Sequence, residues 1–502
     1  MDRSAAADSV IDLDGALVLP GFVDAHVHVT ETGLLLDGLD LSGARSVLEV
    51  LDLVAAAASA RPGAAVLGHG WDELRLAEGR PPTAAELDRA GAGTEVYLSR
   101  VDVHSAVVSG ALAERSGLRG LPGWDRSGRV ERDAHHAVRH ATRFEIVAAD
   151  RRALQLLALR AAAAAGITEL HEMSAPHVAP VADLVDLVAL ASSPEWSSGS
   201  LPDVVPYRGE AVTSEDDARR IVAELRRAGL PGLAGLAGDL MVDGSIGSRT
   251  AALHQDYTDA PGHRGHLYLD ADQVRDHVVA CTRAGLQAGF HVIGDDAVTS
   301  VLAGFEAAAA VLGRSAIRAA RHRIEHLEMV DDAGVATVSR LGLIASVQPA
   351  FDTAWGGTDR MYAVRLGPRR AVRLNPFAAM EAAGVRLAFG SDSPVTPFAP
   401  WEAIRAALRH RTPGQRLGIG AALRAHTMGG RAAGLAPTGL GELLVGGPAT
   451  FTGWRSPHLP PGPSLVVTDL SELAAALAAG EPVPECALTV IRGRTAAVPS
   501  LM

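Results

Sequence analysis

Short apolar stretches, each ending in a polar residue, alternate along this chain with Ala/Leu/Arg-rich stretches whose apolar positions recur at helical spacing. Eight such strands are predicted: Val18 to His28, Glu95 to Arg100, Ile167 to His171, Leu240 to Asp243, Ala288 to His291, Arg323 to His326, Ile344 to Gln348 and Leu387 to Asp392. Helices are predicted between them, including Ala148 to Ala165, Ala218 to Ala228 and Val298 to Leu312. Strand and helix in regular alternation is the pattern of βα units around a parallel sheet. Past Leu435 the texture changes to Gly/Pro-rich turns, with Pro457 to Pro463 and then a short strand at Ala487 to Ile491.

Composition narrows the function classes. With 502 residues, 48% apolar and 21% charged, the chain has ample core for one α/β barrel plus a small accessory domain. No run of apolar residues is long enough for a membrane-spanning helix, and the first residues carry Asp2, Asp8, Asp12 and Asp14 in place of a secretory signal. A cytoplasmic protein without a membrane partner is the expectation. The net charge of −12 argues against nucleic acid. Cys281 and Cys486 are the two cysteines and form no metal or redox motif. Lysine is absent throughout.

The chemistry-bearing positions gather at strand ends. Side chains at i and i+2 of a strand share a face, so His26 and His28 can present two imidazoles to one metal ion. Phe290-His291-Val292 and Arg323-Ile324-Glu325-His326 each place a histidine at the end of a predicted strand, and Leu387 to Asp392 ends in a carboxylate. Four imidazoles and one carboxylate form a zinc-like donor set that also suits manganese or iron. No Gly-x-Ser-x-Gly elbow or phosphate-binding glycine loop competes with this reading.

Several strings resemble the amidohydrolase superfamily, specifically the N-substituted formamide deformylase-like group of amidohydrolase family 3. They are Pro20-Gly21-Phe22-Val23-Asp24-Ala25-His26-Val27-His28, Gly70-Trp71-Asp72, Arg100-Val101-Asp102-Val103-His104-Ser105, Asp243-Gly244-Ser245-Ile246-Gly247-Ser248-Arg249-Thr250 and Gly390-Ser391-Asp392-Ser393-Pro394. The resemblance implies a TIM (β/α)8 barrel over residues 21–435, with a small β-domain built from 1–20 and 436–502. Few residues precede the barrel, so either that domain is reduced or the true start lies upstream of Met1.

The resemblance further implies hydrolysis of a C–N bond in a small-molecule amide, N-acyl or N-formyl compound. His26, His28, His291, His326 and Asp392 would contact one divalent metal, or two, zinc first. Asp392 would act as general base, while His326 would hold a second metal or hydrogen-bond the developing oxyanion. Trp71, Asp102, His104 and Arg249 are candidate substrate contacts, with a structural role set against each. A deaminase, a cyclic-amide or ester hydrolase, and a non-catalytic binding relative remain open on the same scaffold. A homodimer is the default assembly.

Departures from the relatives are equally specific. Many relatives bridge two metals with a carbamylated lysine four residues before the Asp of the Asp-Gly-Ser string, where this chain has Asp239. An aspartate carboxylate falls roughly 6 Å short of a lysine carbamate, so Asp239 is expected to need backbone movement to replace it. Glu172 is the alternative carboxylate, weighed against a solvated loop acid. The segment Arg132 to Arg143, with His135, His136 and His140, lacks the expected Pro-Thr-Gly pattern and reads as exposed helix or loop.

Overall fold

β1 (Leu17–Pro20) and β2 (Phe22–Val27) are one apolar string in the sequence, yet they lie in different sheets. Gly21 separates them where the backbone presses on Thr168, leaving no room for a Cβ. A computed structural model describes residues 13, 15–143, 146–193, 200–437, 441–458 and 470–497 of the protein.

After β2 the chain leaves the barrel. β3 (Leu39–Asp40), β4 (Val66–Trp71), β5 (Val96–Arg100), β6 (Ser105–Val108) and β7 (Arg129–Glu131) form a separate five-stranded mixed sheet. The predicted strand Glu95 to Arg100 is therefore β5 of this inserted layer and not a barrel strand. Its apolar run is satisfied by a core of its own, around Val50, Leu87 and Leu98.

The barrel sheet continues with β8 (Ile167–Ser174), β9 (Asp203–Arg208), β10 (Gly235–Leu236), β11 (Gln287–Val292), β12 (Arg323–His326), β13 (Ile344–Val347) and β14 (Arg386–Phe389). With β2 these make eight parallel strands in sequential order. The ring closes where the Asp392 N–H donates to the His26 carbonyl at 2.8 Å and the His28 N–H donates to the Ser393 carbonyl at 2.9 Å. β9 was not anticipated, because Pro206 interrupts its pattern. The missing N–H is tolerated because β10 meets β9 at a single position, Gly235 beside Tyr207.

The predicted strand Leu240 to Asp243 is also revised. β10 ends at Leu236, Gly238 takes φ +87°, and the chain returns to β11 only through a bridge between Met241 and His291. This is a bulge at the rim of a barrel, a device that re-aims side chains.

Helices cover the outside at Ala148–Ala164, Glu215–Arg227 and Asp295–Leu312, overlapping the predicted spans. Glu215–Arg227 shows why: Ser214 caps it, acids fill its first turn and arginines its last, matching the helix dipole. Among the described residues no single helix is long and apolar enough to cross a membrane. β15 (Phe451–Arg455), β16 (Glu485–Ile491) and β17 (Arg494–Ala497) join β1 in a four-stranded antiparallel sheet from the chain ends. Most of Pro457 to Pro463 and residues 1–12 lie outside the described residues.

The barrel interior is polar at its centre. Arg323 is fully buried, lies over the Tyr207 ring, and donates to Glu325, Ser346 and the Ala25 carbonyl. One side chain thus ties β12 to β9, β13 and β2 beneath the C-terminal ends of the strands.

Candidate metal centre

Four donors converge where β2 and β14 close the ring. His26 and His28 project from the end of β2 by the strand's two-residue period. Asp392 follows β14 in a left-handed conformation, φ +54°, and Gly390 before it packs so tightly on His26 that a Cβ would lie 2.6 Å from its backbone nitrogen. Asp239 arrives from the bulge after β10. Its Oδ1 lies 3.4 Å from His26 Nε2 and its Oδ2 3.2 Å from His28 Nε2. Asp392 Oδ1 lies 3.4 Å from both nitrogens. Asp239 was expected to need backbone movement to reach the site; β10 ends three residues before it, and the turn at Gly238 brings its carboxylate within 3.2–3.4 Å of both imidazoles.

These separations fit a metal ion. Donors bound tetrahedrally at ~2.0–2.1 Å lie roughly 3.3–3.4 Å from one another. His26 Nε2 and Asp239 Oδ1 are buried without a hydrogen-bond partner, and so is the neighbouring His326 Nε2. Such groups cost free energy unless something meets them. Two carboxylates facing two neutral imidazoles carry two negative charges, which a divalent cation balances. Lysine's absence rules out a carbamate among the donors.

Outer contacts fix which nitrogen each ring offers. His26 Nδ1 donates to Glu325 Oε2 at 3.0 Å, leaving the Nε2 lone pair inward. His326 Nδ1 donates to Gln348 Oε1 at 2.9 Å with the same result. Burial opposes charge on His26, but Asp392, Asp239 and Glu325 outweigh it and push the imidazole up to about 10. Burial likewise opposes the charge on Asp239, and the His28 and His26 imidazoles hold it well below the usual carboxylate range. Without a metal, protons take its electrostatic place.

A cavity of about 240 Å³ opens beside His28 and Asp239. His104, Arg132, His136, Arg139, His177 and Tyr268 also line it. The reading of Arg132 to Arg143 as exposed is corrected: His135 is buried against the Tyr97 hydroxyl at 2.8 Å, and His136 faces the cavity, its ring 5.0 Å from that of His177. Only His140 of the three is exposed.

The other candidates separate cleanly. His326 joins His26 and Asp392 in a second group with donor atoms within 4.8 Å of one another. His291 stands outside both such groups among the described residues, its ring 4.4 Å from that of His326 and its Nδ1 3.8 Å from Asp243. His104 lines the cavity, 5.1 Å from the His291 ring. Trp71 does not line it: the indole is buried in the inserted layer and donates to the Leu98 carbonyl at 2.8 Å. Asp102 is likewise internal, pairing with Arg100 and accepting from Ser245 and Ser248. Arg249 pairs with Asp259 through two N–H groups. Glu172 is no solvated acid but is buried in β8, accepting the Val29 N–H at 2.8 Å.

The Asp-Gly-Ser string is therefore scaffold. Asp243 accepts the N–H groups of Ile293, Gly294 and Ala252, pinning the loop after β11 to the bulge. Glu325, Arg323 and Gln348 were missed in the sequence. The signal available was the period-two placement of Arg323 and Glu325 on the strand ending at His326, charges that a buried strand cannot carry unpaired.

Comparison with known proteins places this geometry. The family model described as "Amidohydrolase family" matches residues 9–497. A putative amidohydrolase, YtcJ, of Bacillus subtilis is 24% identical over 81% of this chain and 76% of its own length. The N-substituted formamide deformylase of Arthrobacter pascens is 24% identical over 82% of this chain and 77% of its own. An uncharacterized metal-dependent hydrolase of Pyrococcus furiosus has a solved structure that superposes with a TM-score of 0.66 at 28% identity, covering 88% of this chain and 87% of that one.

Proposed function

The chain belongs to the amidohydrolase family and is a metal-dependent hydrolase; from that premise we propose that it opens the C–N bond of a small amide, an N-acyl or N-formyl compound, at a single divalent ion, zinc first. The observation that carries the single-ion reading is the donor set: His26, His28, Asp239 and Asp392 stand 3.2–3.4 Å apart across its imidazole–carboxylate pairs. The second group, with His326, reuses His26 and Asp392, and one imidazole nitrogen has one lone pair to give.

An ion held there supplies Lewis acidity and lowers the pKa of a neighbouring water to about 7. Asp392 is placed to accept a proton from a water so activated and to return it to the departing nitrogen, so that water would be consumed as the C–N bond breaks. A carboxylic acid and an amine leave. His326 acts as acceptor, since its Nδ1–H is committed to Gln348 and its Nε2 carries the lone pair. Its Nε2 is thereby left facing the site beside His26 and Asp392, where it would hold an ion or meet the substrate oxygen.

Elemental analysis of protein purified without added metal, then loaded with zinc, is expected to give one ion per chain. Released amine is expected from some member of an N-formyl and N-acyl amine panel, and to vanish in Asp392→Ala. Two ions per chain overturn the single-ion centre; turnover unchanged in Asp392→Ala overturns the assigned chemistry.

A further inference from the structure

Arg139 is the charged group in the cavity that the chemistry above leaves idle. It sits on the helix Arg132–Arg143 with 8% of its surface exposed. Its Nε has no hydrogen-bond partner, and the carboxylate paired with it, Glu31, stands 3.7 Å away, beyond hydrogen-bond reach. A guanidinium has five N–H donors in a planar fork matched to a carboxylate. Buried with Nε unmet and its ion-pair partner beyond hydrogen-bond reach, the guanidinium favours an anion that enters and completes its contacts.

The surroundings leave that role to a ligand. Burial holds His136 down at about 4 and His177 at about 3, so both imidazoles are neutral. Burial also pushes the Tyr268 hydroxyl up to about 12, which keeps it a donor. Asp239, the other carboxylate on the cavity wall, is engaged with His26 and His28. Arg132 adds a second, half-buried guanidinium to the same wall. Arg132, His136 and Arg139 all come from the helix Arg132–Arg143, outside the barrel strands, and specificity in such barrels lies in the segments above the strands.

Resting on the hydrolase reading above, we propose that the substrate carries a carboxylate that pairs with Arg139 while its amide carbon faces the His26–His28–Asp239–Asp392 set. The cavity of about 240 Å³ suits a short ligand. The class is thus an N-formyl or N-acetyl derivative of a small amino acid, as opposed to a neutral N-alkyl amide.

The test compares N-formyl and N-acetyl derivatives of glycine, alanine and serine with their carboxamides, on zinc-loaded wild type, Arg139→Gln and Arg139→Lys. Turnover and calorimetric binding are both measured, and metal content reports that each variant is intact. The acids are expected to be preferred by about tenfold or more, through KM. Arg139→Gln should erase the preference at unchanged metal content, and Arg139→Lys should restore part of it. Equal binding of acid and carboxamide, or a preference that survives Arg139→Gln, overturns the anion site and leaves the hydrolase reading standing. Arg139-dependent binding of the acids without turnover of either series supports the anion site and overturns the hydrolase reading.

Discussion

His26 Nδ1 lies 3.0 Å from Glu325 Oε2, and Glu325 is itself held by the buried guanidinium of Arg323. One carboxylate thus sets the tautomer of a metal-facing ring and neutralises a cation at the barrel centre. Glu325→Ala is expected to lower metal affinity about 10–100-fold. It should also cost about 3–5 kcal/mol of stability by stranding Arg323. A chelator competition reads the first effect and urea unfolding of the metal-free protein the second.

Gly238 turns the bulge that delivers Asp239. At φ +87° its added Cβ would lie 2.6 Å from Met173 Sδ. Gly238→Ala is expected to destabilise the fold by about 1–3 kcal/mol and to displace Asp239. Weaker zinc retention than in Asp102→Asn, a variant outside the donor set, would show the second effect.

The donor set makes stability depend on pH in the metal-free protein. His26 stands at about 10 when folded against 6.5 for a free imidazole. A group raised on folding contributes fully below its unfolded value, and the contribution is lost as pH rises through the folded one. Unfolding free energy should therefore fall between pH 6.5 and 10, by an amount on the order of 3 kcal/mol. Zinc-loaded protein should show no such decline, because the ion replaces the protons. Zinc affinity should weaken as pH falls, with protons released on binding. Unfolding midpoints at pH 6 and 9.5, with and without zinc, check both statements.

Arg249 and Asp102 separate a partly exposed pair from an internal one. Arg249→Gln removes the pairing with Asp259 and is expected to cost about 1 kcal/mol or less, with little change in kcat/KM. Asp102→Ala strips a buried partner from Arg100 and two serine contacts, and is expected to cost about 3 kcal/mol. Thermal unfolding with kinetics on the same samples separates the two.

Much of this arrangement was legible from residue pattern. Six of the eight predicted barrel strands coincide with observed ones, because each carries a buried apolar run into a polar end. The two failures have different causes. Glu95 to Arg100 has the same local pattern as a barrel strand, and periodicity cannot say which sheet receives it. Leu240 to Asp243 lies past a bulge, which depends on a glycine torsion more than on side-chain polarity. Asp239's reach was judged from an ideal strand for that reason, with backbone movement as the stated condition. For Trp71 and Asp102 the burial in the inserted layer favours the structural role that was set against the substrate contact. Arg139 and His136 stayed hidden because a polar helix face gives no sign of closing over a cavity.

The bonds that close the ring join residues hundreds of positions apart; the Ser391 N–H donates to Asp24 across 367 of them. His26 and His28 therefore leave the ribosome long before Asp392, the carboxylate that both of them face, has been synthesised. Until then a nascent chain can offer an ion at most the two histidines and Asp239. Full coordination waits until the last barrel strand docks, so selection of the metal coincides with completion of the fold.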